Sequence, residues 1–249
     1  MEFKLSEEEK ERYDRQMMIP NFGEEGQLKL KKSKVTVVGA GGLGCSVTLY
    51  LAAAGVGTLT IIDPERVELS NLNRQVLHWT EDIGELKAVS VARKLEKLNP
   101  AVEVKAVPER LTMENVRGLI GGSDVVVDCL DNWHTRFLLN EACVAERIPM
   151  VHAGIRGLYG QMTTIIPYQT PCLRCILPET PPEEKRFPVL GTTPGVLGVL
   201  EAFEALKLIV GIGVSLAGKL LVFDGEAMSF QEIRVERNES CSVCGEKRF

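Results

Sequence analysis

The sequence predicts an α/β protein in which helices cover both faces of a mostly parallel sheet. Strand-like and helical runs alternate from VTVVGA at 35–40 to PMVHAG at 149–154, and this alternation is typical of βαβ crossovers. VTVVGA and DVVVDC (124–129) are apolar almost throughout, as expected of strands buried on both faces. The order of the elements and the apolar strands together predict this fold class.

Each element is predicted from its own run of residues. A charged N-terminal helix precedes the first strand, and helical and extended runs then alternate: a helix at 45–56, a strand at 59–63, a helix over Leu86–Leu98, an extended run at 102–108, a helix over Glu114–Ile120, a strand at 124–131, a helix over Thr135–Arg147 and a strand at 149–154. The later runs GQMTTIIP, KLLVFDG and SFQEIRVER predict antiparallel strands that extend the sheet.

Composition excludes several classes of function. A net charge of −5 gives no general basic field for nucleic acid or an anionic membrane. The charged N-terminus is unlike a signal peptide, and the apolar stretch Gly195–Val214 contains Glu201, Glu204 and Lys207, which are costly inside a bilayer. We therefore expect a buried helix there, no membrane partner, no nucleic-acid partner and a cytoplasmic protein.

A glycine-rich turn follows the first strand. Residues 39–44 read G-A-G-G-L-G, a G-x-G-x-x-G pattern in which Gly39 permits the tight turn, Gly41 admits a phosphate and Gly44 lets helix pack on strand. Asp63 ends the second strand, where an acidic residue binds ribose hydroxyls. The pattern predicts a Rossmann-like nucleotide site, and a dinucleotide oxidoreductase remains the competing interpretation at this point.

Charged residues farther along favour a nucleoside triphosphate. The run Ser70–Gln75 (SNLNRQ) follows the second strand, Lys87 begins the next helix, and Asp131 and Asn132 end the fourth strand. Ligands of open α/β sheets bind beyond the carboxyl ends of the strands, so these groups are expected to converge beside the glycine turn. Arginine and lysine balance triphosphate charge, and an aspartate holds Mg²⁺.

These motifs closely resemble those of the ubiquitin-activating-enzyme-like adenylyltransferases of the ThiF/MoeB/HesA family. The resemblance runs from Arg12–Gln16 (RYDRQ) through GAGGLG, SNLNRQ and Asp128–Asn132 (DCLDN) to the last C-x-x-C. It implies that ATP contacts Gly42, Asp63, Ser70, Asn71, Leu72, Asn73, Arg74, Lys87, Asp131 and Asn132. It also implies that Asp131 binds Mg²⁺ and that Arg15 reaches the phosphates of a neighbouring subunit, which requires a homodimer.

The resemblance further implies adenylation of the C-terminal glycine carboxylate of a small ubiquitin-like sulfur carrier ending in Gly-Gly, as in molybdopterin or thiamine pathways. A carboxylate is already ionised at neutral pH, so the reaction needs charge neutralisation rather than a general base. Arg15, Arg74, Lys87 and an Asp131-bound Mg²⁺ would supply it. The three histidines, His78, His134 and His152, are then expected to be structural.

Seven cysteines include two C-x-x-C pairs, Cys172 with Cys175 and Cys241 with Cys244. Four thiolates suit tetrahedral Zn²⁺, and in a reducing compartment such pairs are more often metal ligands than disulfides. Four protein ligands leave no open coordination position, so a structural zinc is predicted, similar to that of the same family.

One segment departs from the family pattern. The proline-rich stretch Ile176–Pro194 lacks the cysteine that many members carry, and the matching region Arg186–Gly191 reads RFPVLG. Adenylation is therefore predicted without an assured covalent step. Because the sequence stops at Phe249 with no sulfurtransferase domain, we expect a separate sulfur donor.

We divide the chain as a single adenylation domain, 1–249, with an N-terminal helical arm (1–30), a nucleotide-binding core (31–156) and a carrier-binding, zinc-containing C-terminal part (157–249). Adenylation of another carboxylate, such as a peptide C-terminus or a tRNA base, remains an alternative, as does a non-catalytic nucleotide-binding scaffold. A dinucleotide oxidoreductase is the third alternative, against which SNLNRQ and Lys87 argue.

Overall fold

A computed structural model describes residues 4–184 and 186–245. Its centre is an eight-stranded sheet in the order β3-β2-β1-β4-β5-β6-β7-β8. The strands are β1 Lys34–Val38, β2 Thr58–Ile62, β3 Glu103–Val107, β4 Val125–Asp128, β5 Met150–Arg156, β6 Tyr159–Ile165, β7 Lys219–Asp224 and β8 Ser229–Arg234. Strands β1 to β5 pair in parallel, and β6, β7 and β8 are antiparallel additions. The predicted fold class is confirmed.

The helices connect these strands and cover both faces of the sheet. They are α1 Glu7–Met17, α2 Gly23–Lys32, α3 Gly42–Ala54, α4 Lys87–Leu98, α5 Val116–Ile120, α6 Trp133–Ala145, α7 Leu173–Ile176 and α8 Thr192–Val210. One hydrophobic core packs α3, α4 and α8 on the sheet, and a second packs α5 and α6 on the opposite face. Along β4, Val125 and Val127 enter the first core while Val126 enters the second, which explains the uninterrupted apolar run.

The N-terminal region forms two helices where one charged helix was expected. Ser6 and Glu9 close a reciprocal capping box at the start of α1. Gln16 on α1 and Gln27 on α2 both donate to the buried end of α3 through the Ala54 carbonyl. The arm is therefore fastened to the core by hydrogen bonds at this point, although the sequence gives it few apolar residues.

The predicted buried helix at Gly195–Val214 is observed as α8. It begins earlier than predicted and ends at Gly211, whose φ of 79° is the left-handed conformation that glycine favours at a helix end. Within the chain as described, no helix is both long enough and apolar enough to cross a bilayer. Both Glu201 and Glu204 are buried in this helix, so it carries costly polar groups into the first core.

Candidate functional site

A cavity of about 450 Å³ lies at the carboxyl ends of the parallel strands. Its walls come from the turn after β1, the end of β2, the start of α4 and the turn after β4, together with β5, β6 and the segment before α8. The sequence-predicted residues at its surface are Gly39, Gly41, Gly42, Asp63, Arg74, Lys87, Asp131 and Asn132. The expectation that these groups meet at one edge of the sheet is thus met by the geometry.

The glycines of the turn serve different purposes. Gly39 has φ 104°, and a side chain there would meet the Cys129 carbonyl. A Cβ on Gly44 would lie 1.9 Å from the Gly39 carbonyl oxygen, so only glycine lets α3 pack this closely on the turn. A Cβ on Gly41 would meet nothing nearer than Gln75 Nε2 at 3.7 Å, which leaves room for a ligand beside its backbone.

Asp63 connects the end of β2 to the glycine turn. Its Oδ2 accepts from the Ala40 amide at 2.8 Å and its Oδ1 accepts from the Glu65 amide at 2.8 Å. Burial raises the pKa of this carboxyl above its ordinary value because removal from water penalises the charged form. Asp63 therefore holds the turn in place in addition to facing the cavity.

The SNLNRQ segment presents its arginine to the cavity and uses its other residues to position it. One guanidinium nitrogen of Arg74 donates to the Ser70 carbonyl at 2.9 Å and to Asn73 Oδ1 at 3.0 Å. Asn71 is buried, and its Oδ1 accepts from the Glu68 amide at 3.0 Å. Ser70, Asn71, Leu72 and Asn73 do not line the cavity, whereas Arg74 and Gln75 do.

Lys87 is a buried cation at the cavity wall. Its ammonium donates to Glu65 Oε2 at 2.6 Å, and its side chain is 5% exposed while that of Glu65 is 56% exposed. The charge of Lys87 is thus balanced by a carboxylate that remains accessible to solvent. A bound anion would find the ammonium already fixed in place, which lowers the entropic cost of binding.

Asp131 lies just after β4, in the turn that leads into α6. The N-cap of α6 is Asn132, whose side chain accepts from the Thr135 amide at 3.0 Å. Asp131 is exposed at the cavity, and its Oδ1 accepts a 3.4 Å hydrogen bond from Asn132 Nδ2. Because Asn132 caps the helix, the carboxylate of Asp131 is left available for a cation.

Arg15 lies outside this cavity. It is exposed in the last turn of α1, and it is absent from the residues that line the site. Gly44 is also set back from the surface, under the turn. Of the predicted nucleotide contacts, the structure therefore brings the backbone turn, Asp63, Arg74, Lys87, Asp131 and Asn132 together within one chain.

The sequence did not single out a buried ionic group that reaches the cavity through Arg136. Arg136 of α6 donates to the Ala153 carbonyl at 2.6 Å and contacts His152, whose Nδ1 lies 2.6 Å from Asp128 Oδ2. Beside Arg136 the pKa of Asp128 is lowered despite complete burial, and burial lowers the pKa of His152. The sequence feature that could have identified Arg136 is its position one helical turn after Asp131–Asn132.

A second group of unpredicted residues lines the other side of the cavity. Gly154, Arg156, Tyr159 and Gln161 come from the β5–β6 hairpin. Opposite them, the loop after α7 contributes residues whose carboxylates are held at the rim: Glu183 Oε1 accepts from the His134 amide at 2.9 Å, and Glu184 pairs with Arg156 at 3.3 Å. Strand pairing and a long loop create this wall, so local sequence patterns did not reveal it.

The four cysteines of the two C-x-x-C pairs converge on the face of the sheet that α5 and α6 cover. The sulfur atoms of Cys172, Cys175, Cys241 and Cys244 all lie within 4.8 Å of one another, with 3.7 Å between Cys172 and Cys241 and 3.4 Å between Cys175 and Cys244. Bonds of about 2.3 Å to a tetrahedral zinc place sulfurs at this order of separation, whereas a disulfide needs about 2.05 Å. All four thiols are free, and the group is arranged to hold a metal ion.

A model of the ThiF family matches residues 13–243 of this sequence. The chain belongs to the ThiF family. The match extends from α1 through the cavity to the last cysteine pair, so it includes every residue that lines the cavity and three of the four clustered cysteines, and it ends one residue before Cys244. The family predicted from the sequence motifs is confirmed.

Two relatives are similar over nearly the full length of this ThiF-family chain. A sulfur carrier protein adenylyltransferase of Thermus thermophilus is 46% identical, with 97% of this chain and 93% of the relative aligned. A SAMP-activating enzyme E1 of Haloferax volcanii is 45% identical, with 99% of this chain and 93% of the relative aligned. The enzyme class predicted from the sequence agrees with both.

The fold also matches a solved structure. Crystals of Escherichia coli MccB with succinimide contain a chain of the same architecture, with a TM-score of 0.85 and 25% identity over 94% of this chain and 74% of that one. The cavity-forming sheet and the antiparallel extension are therefore features that this ThiF-family chain shares with a distant relative.

Proposed function

We propose that the protein is an ATP-dependent adenylyltransferase that acts on the C-terminal glycine carboxylate of a small ubiquitin-like sulfur carrier ending in Gly-Gly. The observation that carries this proposal is the convergence of Arg74, Lys87 and Asp131 on the glycine turn in one cavity. The names of the two full-length relatives support the substrate class. A molybdopterin-type or thiamine-type pathway is the corresponding setting.

The cavity supplies what adenylation requires. The carrier carboxylate attacks the α-phosphorus of ATP, a new oxygen–phosphorus bond forms, the bond to the β-phosphate oxygen breaks, and pyrophosphate leaves with its electron pair. No proton has to move. Arg74 and Lys87 face the cavity as fixed cations, and stabilisation of developing charge by such preorganised groups is the main catalytic term.

The nucleotide contacts follow from the walls of the cavity. We assign the phosphates to the backbone N–H groups of Gly41 and Gly42 and the ribose to Asp63, because the Gly39 N–H already donates to the Ile62 carbonyl at 2.8 Å. Ser70, Asn71, Leu72 and Asn73 act chiefly as the turn that carries Arg74. Asp131, aided by Asn132, would hold Mg²⁺. That ion, when bound, neutralises charge on the triphosphate.

We propose Zn²⁺ as the ion held by Cys172, Cys175, Cys241 and Cys244. Thiolate ligands select zinc among the common divalent ions, and four protein ligands leave no position for substrate. The zinc would be structural, and it would fasten the segment after β8 to the region around α7. Reduced thiols fit the cytoplasmic location that we propose.

We further propose a homodimer in which Arg15 of one copy reaches the phosphates bound by the other. Arg15 is exposed and does not line its own cavity. Large apolar side chains are exposed close to Arg15 in the sequence, at Met18 and Ile19. Others are exposed in the segment that follows β2, at Leu69, Val76, Trp79 and Ile83. Contact between copies would cover apolar surface of this kind.

The carrier-binding role of the C-terminal part and the division at 1–30, 31–156 and 157–249 belong to the same proposal. We propose that the carrier tail approaches ATP along the β5–β6 hairpin and the loop that carries Glu183 and Glu184 (the rim loop), both of which line the cavity. We propose that a separate sulfur donor then attacks the carrier adenylate, so that a carbon–sulfur bond forms and AMP leaves.

Pyrophosphate exchange tests the proposed function. The full chain should incorporate labelled pyrophosphate into ATP only with a Gly-Gly-terminated carrier, and a carrier lacking its last glycine should give no exchange. Asp131→Ala and Lys87→Ala should lower exchange by at least about a hundredfold, the scale of losing an electrostatic catalytic group, while circular dichroism shows an intact fold.

Three results would contradict the proposal. Exchange without any carrier, or equal exchange with the truncated carrier, would favour a different carboxylate substrate. ATP binding without exchange for any carboxylate would favour a nucleotide-binding scaffold. Retained exchange in a folded Asp131→Ala protein would remove the metal assignment.

A further inference from the structure

The carbonyl of Ala40, inside the glycine turn, is held by a buried histidine. His78 Nε2 lies 3.0 Å from the Ala40 oxygen, and His78 is 3% exposed. A carbonyl oxygen can only accept, so Nε2 must carry the proton. Among the described residues, the other hydrogen bond to this oxygen is a weak one from the Cys45 thiol at 3.6 Å. His78 is therefore the principal support of this peptide group on its carbonyl side.

A chain of hydrogen bonds fixes the same tautomer from the opposite side of the ring. His78 Nδ1 lies 3.0 Å from Ser90 Oγ, and Lys94 Nζ donates to that oxygen at 2.9 Å. An ammonium has no acceptor, so the Ser90 hydroxyl is free to direct its own hydrogen to Nδ1. Lys94 is held by Asp82, which is 2% exposed. The hydrogen bonds from Lys94 to Ser90, from Ser90 to His78 and from His78 to Ala40 then all run toward the Ala40 carbonyl.

The electrostatics keep the ring neutral. Burial lowers the pKa of His78, and the neighbouring ammonium groups of Lys94 and Lys87 lower it further. Lys94 is offset by Asp82, whose pKa is lowered to about 2. A neutral imidazole with its proton on Nε2 has one donor and one acceptor, and both are used here.

The geometry of the peptide group passes this restraint to the cavity. The bond between Ala40 and Gly41 is trans, so the Gly41 N–H points away from the side on which His78 holds the carbonyl. Among the described residues no acceptor bonds the Gly41 N–H, and Gly41 lines the cavity. The Ala40 N–H is fixed independently by Asp63, so the turn is restrained on two sides.

We propose that His78 is a positioning residue that, as the Nε2–H tautomer set by Ser90, Lys94 and Asp82, aims the Gly41 N–H at a nucleotide phosphate. This inference rests on the proposed function in one respect, that a phosphate occupies the turn. It assigns to the histidine a role in ATP affinity that the sequence alone would leave as packing.

The test compares ATP with adenosine, which lacks the phosphates. In the full-length protein, His78→Phe keeps a ring of similar shape but removes both polar atoms. We expect it to weaken ATP binding roughly tenfold, equivalent to about 1.4 kcal/mol, and to leave adenosine binding unchanged in calorimetry. His78→Gln, whose amide can donate to the Ala40 carbonyl, should restore most of the ATP affinity.

Asn99→Leu is the matched control. Asn99 Nδ2 donates to the buried Ala52 carbonyl at 2.7 Å, at the other end of α3, so its loss also leaves a buried carbonyl without its side-chain donor. This variant should lose stability while keeping ATP affinity. Equal ATP affinity in wild type and His78→Phe, or equal losses of ATP and adenosine, would overturn the proposal.

The tautomer can be observed in wild-type protein, whatever the variants do. Nitrogen-15 spectra of labelled histidine should show the His78 proton on Nε2 and a bare Nδ1 at neutral pH, and Ser90→Ala should weaken this preference. A proton on Nδ1 would overturn the proposal. If wild type shows the predicted tautomer but exchanges no pyrophosphate with any carrier, the proposed function fails and the tautomer stands.

Discussion

Single residues of the glycine turn have distinct physical duties. Gly39 supplies a positive φ, Gly44 supplies contact between helix and turn, and Gly41 leaves open space. A Cβ at Gly44 would overlap the Gly39 carbonyl, so Gly44→Ala would displace α3, whereas the same change at Gly41 would fill part of the cavity. The motif is therefore one pattern with three separate causes.

Glu201 is an acidic residue whose burial disfavours its charged form. It is fully buried in α8, and among the described residues its Oε1 has no partner. Burial, reinforced by the charge of Asp128, raises the pKa of this carboxyl well above its ordinary value of 4.5. A pKa shift in this direction means that Glu201 binds a proton more readily in the folded protein than in the unfolded chain.

Glu201→Gln should therefore make the protein more stable at neutral and alkaline pH. Because folding takes up a proton at Glu201, its contribution is full below pH 4.5 and is lost as pH rises toward the folded-state pKa. The slope over that window is about 1.4 kcal/mol per pH unit. Urea unfolding between pH 5 and pH 9 should show a shallower decline for Glu201→Gln than for wild type.

Glu96→Gln is the matched control, since Glu96 is exposed on α4 and its substitution should leave the pH dependence of the free energy of unfolding as in wild type. Parallel pH profiles for wild type and Glu201→Gln would mean that the buried carboxyl is ionised in the folded protein.

At the scale of elements, the segments between strands carry the site. Ser70 and Asn73 hold Arg74, Asn71 caps the turn, and the cavity receives only the end of this motif. The rim loop after α7 acts differently. Through Glu183 it accepts from a backbone amide at the start of α6, and through Glu184 it pairs with the β5–β6 hairpin, so it spans the two sides of the cavity.

Replacing part of this rim loop should weaken binding of the carrier more than binding of ATP. Replacing residues 179–184 with a Gly-Ser linker removes the Glu183 and Glu184 contacts but leaves the glycine turn, Arg74 and Lys87 untouched. We expect KM for the carrier to rise roughly tenfold, as for losing about 1.4 kcal/mol of interaction, with KM for ATP within about twofold of wild type. Steady-state pyrophosphate exchange measures both constants.

Glu184→Ala serves as the milder companion of that variant, because the exposed Arg156–Glu184 pair contributes little by itself. Equal increases in both KM values after loop replacement would place the loop in nucleotide binding. No increase in either would remove its role in substrate binding.

At the scale of the molecule, the cysteine cluster joins distant parts of the chain. Cys172 immediately precedes α7 and Cys175 lies within it, whereas Cys241 and Cys244 follow β8. Cys172 and Cys244 also belong to the second hydrophobic core. Hydrogen bonds from the Cys244 and Val243 backbone outweigh burial and lower the pKa of Cys241 to about 7, so a thiolate is accessible near neutral pH.

Loss of the metal should destabilise the whole protein. Cys241→Ser should reduce the bound zinc below the wild-type value of about one ion per chain. It should also lower the free energy of unfolding by about 2 kcal/mol or more, which corresponds to a fall in Tm of at least about 4 °C for a chain of this length. Calorimetry with elemental analysis measures both. Cys143→Ser, at a buried cysteine outside the cluster, should keep the zinc.

Chelators and reductants distinguish a metal site from disulfides in the cysteine cluster. A chelator should lower Tm of the wild type, and a reductant alone should leave it unchanged. The reverse pattern would mean that disulfides rather than a metal join these segments.

The sequence by itself determined the fold class, the family, the glycine turn and the paired cysteines. Each depends on local spacing: near-continuous apolar runs, a G-x-G-x-x-G turn between a strand and a helix, and C-x-x-C pairs. It also indicated Arg74, Lys87 and Asp131, because parallel strands end at one edge and the groups that follow them must meet there.

Only the tertiary structure decided which member of each motif faces the ligand. Asn132 rather than Asp131 caps α6, Ser70 and Asn73 support Arg74, and Arg15 lies away from its own cavity. The support of the Ala40 carbonyl by His78 and the charge pair of Asp128 with Arg136 join residues from different elements. Hydrogen-bond direction and burial depend on such long-range packing, and local sequence does not encode them in a readable pattern.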